Sequence, residues 1–172
     1  MSPIVRLFIH PTRDCNLSCS GCYLTDIPGI EELMKAELPM AYFEDILGVA
    51  HSAGFNELGL LVNPQSRIID HLGLAEVARE LGMKVNMTTT HQVILKMNPL
   101  MLRNFDIISM SVDTERFKKP EQAITFVEKA AAYLDEHGWK GHFNINLTYS
   151  VEVFDWVKDQ SFIKRLDRRS SS

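Results

Sequence analysis

Residues 84–113 read KVNMTTTHQVILKMNPLMLRNFDIISMSVD. Two strand-like segments, Lys84 to Thr89 and Ile107 to Val112, flank a short helical stretch. That helix follows Asn98-Pro99, a capping residue and a proline at the first helical position. Polar and apolar residues alternate in both strands, so each strand has one polar and one apolar face. Such a strand–helix–strand unit predicts parallel pairing through a right-handed crossover.

The same succession of strands and helices extends to both sides of this stretch. The other predicted strands are Ile4 to Ile9, Glu57 to Val62 and His142 to Tyr149. The other predicted helices are Met40 to Ala53, Ile68 to Leu81, Pro120 to His137 and about Glu152 to Leu166. The sequence therefore predicts an α/β fold, a partial (open) parallel β/α barrel with about five strand–helix units and the helices outside. We expect one domain over residues 1–166 and a flexible tail over residues 167–172.

Polar residues on the last three predicted strands fall on one shared face. They are Asn86, Thr88 and Thr90, then Ser109, Ser111 and Asp113, then Asn144, Asn146 and Thr148. A curved sheet with helices outside turns this face inward, where buried polar groups need partners. A polar ligand would supply those partners. The alternatives are an antiparallel sheet with one solvated face, or a water-filled interior.

The amino-acid composition argues against two classes of binding partner, nucleic acids and membranes. The chain has 172 residues, of which 45% are hydrophobic and 23% charged, and its net charge is -4. This balance is typical of a globular domain and argues against a broadly basic nucleic-acid binder. No apolar stretch approaches the roughly 20 residues of a membrane span, and residues 1–9 lack the features of a secretory signal. We therefore expect a cytoplasmic protein with neither a membrane nor a nucleic acid as partner.

Three cysteines lie close together, directly after the first predicted strand. Cys15, Cys19 and Cys22 have the spacing C-x3-C-x2-C, and thiolates this close are suited to one metal centre. Cubane iron–sulfur clusters usually take four cysteines, so three would leave one iron open. Structural zinc takes four protein ligands and remains the alternative, with His10 or Asp14 as the fourth. Ligand sites of α/β barrels lie at the carboxyl ends of the strands, where this motif stands.

The segment Cys15 to Tyr23 resembles the signature of radical S-adenosylmethionine (SAM) enzymes. The resemblance covers roughly residues 4–150. Residues 81–90 resemble the family's third strand, which often ends in Thr-Asn-Gly. Residues 108–113 resemble its fourth strand, which often ends in Ser-x-Asp. His10 and His91 follow predicted strands and are further candidates for a site role.

The resemblance implies a [4Fe-4S] cluster held by the three cysteines, with SAM bound at the open iron. Reductive cleavage of SAM would yield a 5′-deoxyadenosyl radical that abstracts hydrogen from an unidentified substrate, a small molecule or a protein. An external electron donor such as flavodoxin or ferredoxin would be needed. The residues that the resemblance suggests as SAM contacts are Tyr23, Asn63, Ser111, Asp113 and Asn146. No catalytic side chain is indicated.

The sequence departs from the family at the second strand. The family usually carries Gly-Gly-Glu-Pro there to receive the SAM ammonium, whereas this chain has Leu61-Val62-Asn63-Pro64. The family core also has six strand–helix units, and five are predicted here. Two alternatives therefore stay open. One is a degenerate or truncated relative that binds an iron–sulfur cluster without SAM turnover, and the other is a structural zinc-binding module.

Overall fold

Five parallel strands form one sheet, in the order in which they follow one another along the chain. The computed structural model describes residues 3–10, 39–64, 68–148 and 151–167. The strands are β1 (Arg6–Ile9), β2 (Glu57–Leu61), β3 (Lys84–Thr89), β4 (Ile107–Val112) and β5 (His142–Leu147). Every neighbouring pair is parallel. The predicted α/β class with an open parallel sheet is thereby confirmed.

The helices connect and follow these strands. They are α1 (Met40–Ser52), α2 (Ile68–Glu80), α3 (His91–Ile94), α4 (Pro99–Leu102), α5 (Pro120–Glu136), α6 (Val151–Lys158) and α7 (Gln160–Asp167). The prediction of one helix over Glu152 to Leu166 is wrong, because two helices occupy that stretch. Asp159 stands between them and its side chain accepts a hydrogen bond from the Ser161 N–H at 2.8 Å. This side-chain cap starts a new helix instead of continuing the first.

One face of the sheet packs against the helices. Residues that are in register across all five strands form a row of side chains, here called a rung. One such rung contains Ile9, Leu60, Met87, Ile108 and Phe143. The first four are buried and Phe143 packs against them. The strands follow one another in chain order, and right-handed crossovers between such strands all lie on the same side of the sheet. The apolar rungs therefore point toward this layer of helices. Burying them supplies the main stabilisation of the domain.

The opposite face of the sheet carries the polar residues, as the alternation predicts. Ser109 and Asn144 are in register on this face, and so are Ser111 and Asn146. On β5 the side chains of this face are exposed, whereas those of the helical face are half-buried. The polar face is thus open to solvent at β5 and becomes more enclosed toward the central strands.

Glycine at position 59 allows an aromatic ring to lie across the polar face. Phe8 on the edge strand is in register with Gly59. A Cβ added at Gly59 would stand 2.6 Å from two atoms of the Phe8 ring. Since Phe8 is 60% exposed, its ring contacts this glycine without being locked into the core.

We expect Gly59→Ala to destabilise the domain by about 1–2 kcal/mol through overpacking against Phe8. In a Phe8→Ala background the same substitution becomes neutral or stabilising, because alanine loses less entropy than glycine in a strand. Urea unfolding of the two single variants and the double variant measures this coupling. Gly48→Ala is the matched control, since no atom lies within 4 Å of its added Cβ. An equal cost of Gly59→Ala with and without the Phe8 ring would refute the explanation.

Candidate functional site

The predicted site residues that the structure describes lie toward the carboxyl ends of the strands. Ser111 and Asn146 are register neighbours on the polar face. Ser111 is half-buried and Asn146 is exposed. No other described residue forms a hydrogen bond to either side chain. These two groups, one hydroxyl and one amide, are therefore available to a polar ligand.

Asp113 is engaged by a residue that the sequence analysis missed. Its Oδ1 accepts a hydrogen bond from the Arg116 backbone N–H at 2.9 Å, and its Oδ2 pairs with Arg116 Nη1. The same guanidinium nitrogen lies 3.4 Å from the Ser111 carbonyl oxygen. Asp113 thus holds Arg116 next to Ser111, and both carboxylate oxygens of Asp113 are used within the protein. The i,i+3 spacing of the two opposite charges after the strand is the signal that would have indicated this pair.

Asn63 and His10 link the ends of the first two strands. The Asn63 amide nitrogen lies 3.0 Å from Nε2 of His10. Both residues are half-buried. The structure therefore brings together one predicted SAM contact and one predicted histidine candidate, and it uses the Asn63 side chain within the protein.

His91 lies among aromatic side chains. Its ring centroid is 4.3 Å from that of Phe126 and 5.2 Å from that of Phe117. Burial lowers the pKa of His91 below 6.5, and the nearby Arg116 charge lowers it further. Its Nδ1 and the neighbouring Thr90 Oγ1 are buried, and neither has a hydrogen-bond partner in the part of the chain that the structure describes. The burial of this imidazole and the charge of Arg116 thus both disfavour its protonated form.

The amino end of the polar face is occupied by a network within the protein. Glu57 is buried and pairs with Arg6 on the edge strand. Asn86 on β3 donates its amide N–H to the same carboxylate oxygen, Oε1. These contacts join the first three strands. The polar face therefore has an internally bonded amino end and a ligand-accessible carboxyl end.

The three cysteines and Tyr23 lie outside the described residues, so the predicted metal ligands have no position in this site. In residues 3–10, 39–64, 68–148 and 151–167, no cluster of three or more His, Cys, Asp or Glu side chains is arranged to hold a metal ion. The metal centre stays a prediction from the sequence.

Comparison with known proteins leaves the family open. The sequence matches no protein-family model and no curated protein. The resemblance to radical SAM enzymes therefore depends on the cysteine motif and on residues 81–90 and 108–113. Over the parts of the chain that the structure describes, no helix has both the length and the apolarity to cross a membrane. The cytoplasmic location stays a prediction.

We expect His91 to make the domain less stable as the pH falls below about 6.5. The folded state holds this imidazole neutral, so the unfolded state binds the proton more readily and gains in free energy at low pH. The stability contribution is thus present above 6.5 and lost toward the lowered pKa of the folded state. The free energy of unfolding, measured by urea titration at pH 7.5 and pH 5.5, should fall less for His91→Phe than for the unmodified chain.

His51→Gln is the control for this experiment, since His51 is exposed on α1. It should show the same pH dependence as the unmodified chain. An unchanged pH dependence in His91→Phe would contradict the proposed protonation state.

Proposed function

We propose that this protein is a radical SAM enzyme that holds a [4Fe-4S] cluster through Cys15, Cys19 and Cys22. The observation that carries the proposal is the C-x3-C-x2-C spacing directly after the first strand of a sequentially ordered parallel sheet. Among the described residues, none forms a hydrogen bond to the side chains of Ser111 and Asn146 on the polar face, near the carboxyl edge of that sheet. Ligand sites of parallel α/β folds occur at this edge.

The covalent chain limits how far the first thiol can be from this edge. His10 directly follows β1 and lies 3.0 Å from Asn63, which comes shortly after β2. Cys15 is five residues beyond His10. Five residues span at most about 18 Å even when fully extended. The length of the intervening segment therefore allows the thiol motif to reach the carboxyl edge.

The donor set fits an iron–sulfur cluster with one open iron. Three thiolates satisfy three irons of a cubane and leave one for an exogenous ligand. A structural zinc ion requires a fourth protein ligand. One predicted candidate for that role, His10, already contacts Asn63 through its Nε2. The other predicted candidate, Asp14, lies outside the described residues, and zinc stays a testable alternative.

The polar face supplies contacts suited to the cofactor's sugar and amino acid groups. The Ser111 hydroxyl and the Asn146 amide stand side by side and can donate to or accept from ribose hydroxyls. The Arg116 guanidinium pairs with Asp113 and lies next to Ser111, and its remaining N–H groups can donate to a carboxylate of the ligand. Binding by these residues would fix the orientation of SAM. The reduced cluster, when bound, supplies the electron that cleaves SAM.

A second candidate function is cluster binding without SAM turnover. The segment after β2 favours it, because Val62 is 3% exposed and the Asn63 amide contacts His10. Neither residue supplies the negative charge that the family's glutamate gives to the SAM ammonium. In this case the cysteines would hold the cluster and the polar face would serve another ligand or a protein partner.

Replacement of any one cysteine, Cys15→Ser, Cys19→Ser or Cys22→Ser, should abolish cluster assembly. Two thiolates cannot replace the three-point attachment of a cubane. After anaerobic reconstitution, iron and sulfide analysis and EPR of the reduced protein measure the cluster. Ser20→Ala, between the second and third cysteine, is the matched control and should retain it. Stoichiometric zinc with no iron or sulfide in the unmodified protein would identify the zinc-binding module instead.

Ser111→Ala and Asn146→Ala should each weaken SAM binding roughly fivefold, the loss of about one hydrogen bond. Calorimetric titration of the reconstituted protein measures the affinity, and EPR verifies that the cluster is intact. Thr125→Ala on α5 is the control, because its hydroxyl bonds only to the Glu121 carbonyl of its own helix. A cluster signal that does not change when SAM is added would favour the function without SAM turnover.

A further inference from the structure

We propose that a groove at the amino end of the sheet binds a phosphate-bearing small molecule. The groove has a volume of about 650 Å³ and lies between α4, the segment that joins α5 to β5, and the first residues of three strands. We call it the basic groove. Its lining includes the charged residues Lys84, Arg103, Asp106 and Lys140 and the indole of Trp139.

The charge of the basic groove is opposite to that of the protein. The chain as a whole carries a net charge of -4, yet two lysines and an arginine face the same cavity. Within the described ranges, no carboxylate pairs with Lys84, Arg103 or Lys140. Like charges repel when they are brought together, and an anion relieves that repulsion. Arg103 donates its Nε–H to the Leu100 carbonyl oxygen at 3.0 Å, so a backbone carbonyl satisfies one of its N–H groups but does not neutralise its charge. Three cationic residues that line one cavity without a paired carboxylate favour an anionic ligand.

The single carboxylate in the basic groove is already neutralised. Asp106 Oδ2 pairs with Arg79 Nη1 at 3.1 Å and accepts a hydrogen bond from the Val85 N–H at 2.8 Å. Arg79 belongs to α2 and is not among the residues lining the groove. Asp106 therefore serves to fix the start of β4 and leaves the three cations without an internal counterion.

A rigid aromatic side chain forms part of the lining. Trp139 donates its Nε1–H to the Phe105 carbonyl oxygen at 3.0 Å. A Cβ at Gly141 would stand 2.3 Å from the Trp139 ring and 2.5 Å from the Asp106 carbonyl oxygen. Glycine at 141 thus permits the indole to pack directly on the backbone. The shape of the groove is set before any ligand binds.

A phosphate or diphosphate group suits this arrangement better than a single carboxylate. The cations come from the start of β3, from the end of α4 and from the segment before β5. A phosphate carries more than one negative charge and presents acceptor oxygens in several directions, so it can reach cations on separate elements. The volume lies within the range of small-molecule sites, about 300–1,000 Å³. The indole adds an apolar surface for the organic part of such a ligand.

The basic groove is separate from the proposed SAM site. Asp106 and Asp113 stand at opposite ends of β4, and the strand between them spans roughly 20 Å. The inference therefore does not depend on the proposed function. The groove would bind a phosphorylated molecule whether or not the chain holds a cluster.

Inorganic pyrophosphate is the probe, and isothermal titration calorimetry on the full chain is the measurement. We expect saturable binding of the unmodified protein. The Arg103→Gln/Lys140→Gln double variant should bind at least tenfold more weakly, because it loses two charge-assisted contacts. Lys119→Gln/Lys164→Gln is the matched control, since it removes the same net charge from exposed positions outside the groove. Circular dichroism verifies that both variants are folded.

Tryptophan fluorescence gives a second readout in the groove itself. The chain has two tryptophans, so Trp156→Phe leaves the emission of Trp139 alone. Pyrophosphate should change this emission with the same midpoint as the calorimetric titration. Absence of saturable binding by both methods would overturn the proposal, as would equal affinities of the groove variant and the control variant. Citrate binding as tight as pyrophosphate binding would overturn the assignment to phosphate.

Discussion

The sequential parallel order of the five strands places every connecting helix on one side of the sheet. A right-handed crossover between neighbouring parallel strands leaves the chain no other side on which to return. One face must then be apolar and buried, and none of the connecting helices that the structure describes covers the other face. The rung of Ile9, Leu60, Met87 and Ile108 satisfies the first requirement. The polar side chains on the other face satisfy the second requirement. The candidate site at the carboxyl edge depends on this difference between the two faces.

The alternation along the strands was sufficient to predict the fold and the composition of the polar face. Side chains in a strand alternate with a period of two, so Ser109 and Ser111 must share a face, as must Asn144 and Asn146. The sequence could not give the register that places Ser111 beside Asn146, since pairing is set by contacts between distant segments. It also missed α3, whose four residues are too few to show a helical period.

The sequence indicated that Asn63, His91 and Asp113 follow predicted strands, but it did not indicate their partners. Asp113 is bonded to Arg116 three residues later, and Asn63 contacts His10 across 53 residues of sequence. The aromatic neighbours of His91 are likewise distant in sequence. A partner determines whether a polar side chain is free for a ligand or holds another residue in place. Sequence patterns identify the type of a side chain but not this choice, which depends on tertiary packing.

At the two ends of the sheet, the charged and polar side chains find different hydrogen-bond and ion-pair partners. On the polar face at the amino end, Glu57 is compensated by Arg6 and Asn86, so its burial requires no ligand. Next to this closed network, the cations of the basic groove lack such a partner and remain at the surface, where water solvates them until an anion binds. At the carboxyl end, neutral Ser111 and Asn146 are accessible beside an arginine held by Asp113. At the carboxyl end, the neutral side chains and the oriented guanidinium can select a ligand by its hydrogen bonds. The basic groove, whose cations have no carboxylate partner among the described residues, selects a ligand by its charge. The same parallel sheet thus presents two chemically distinct surfaces, because its strands end in different residues at each edge.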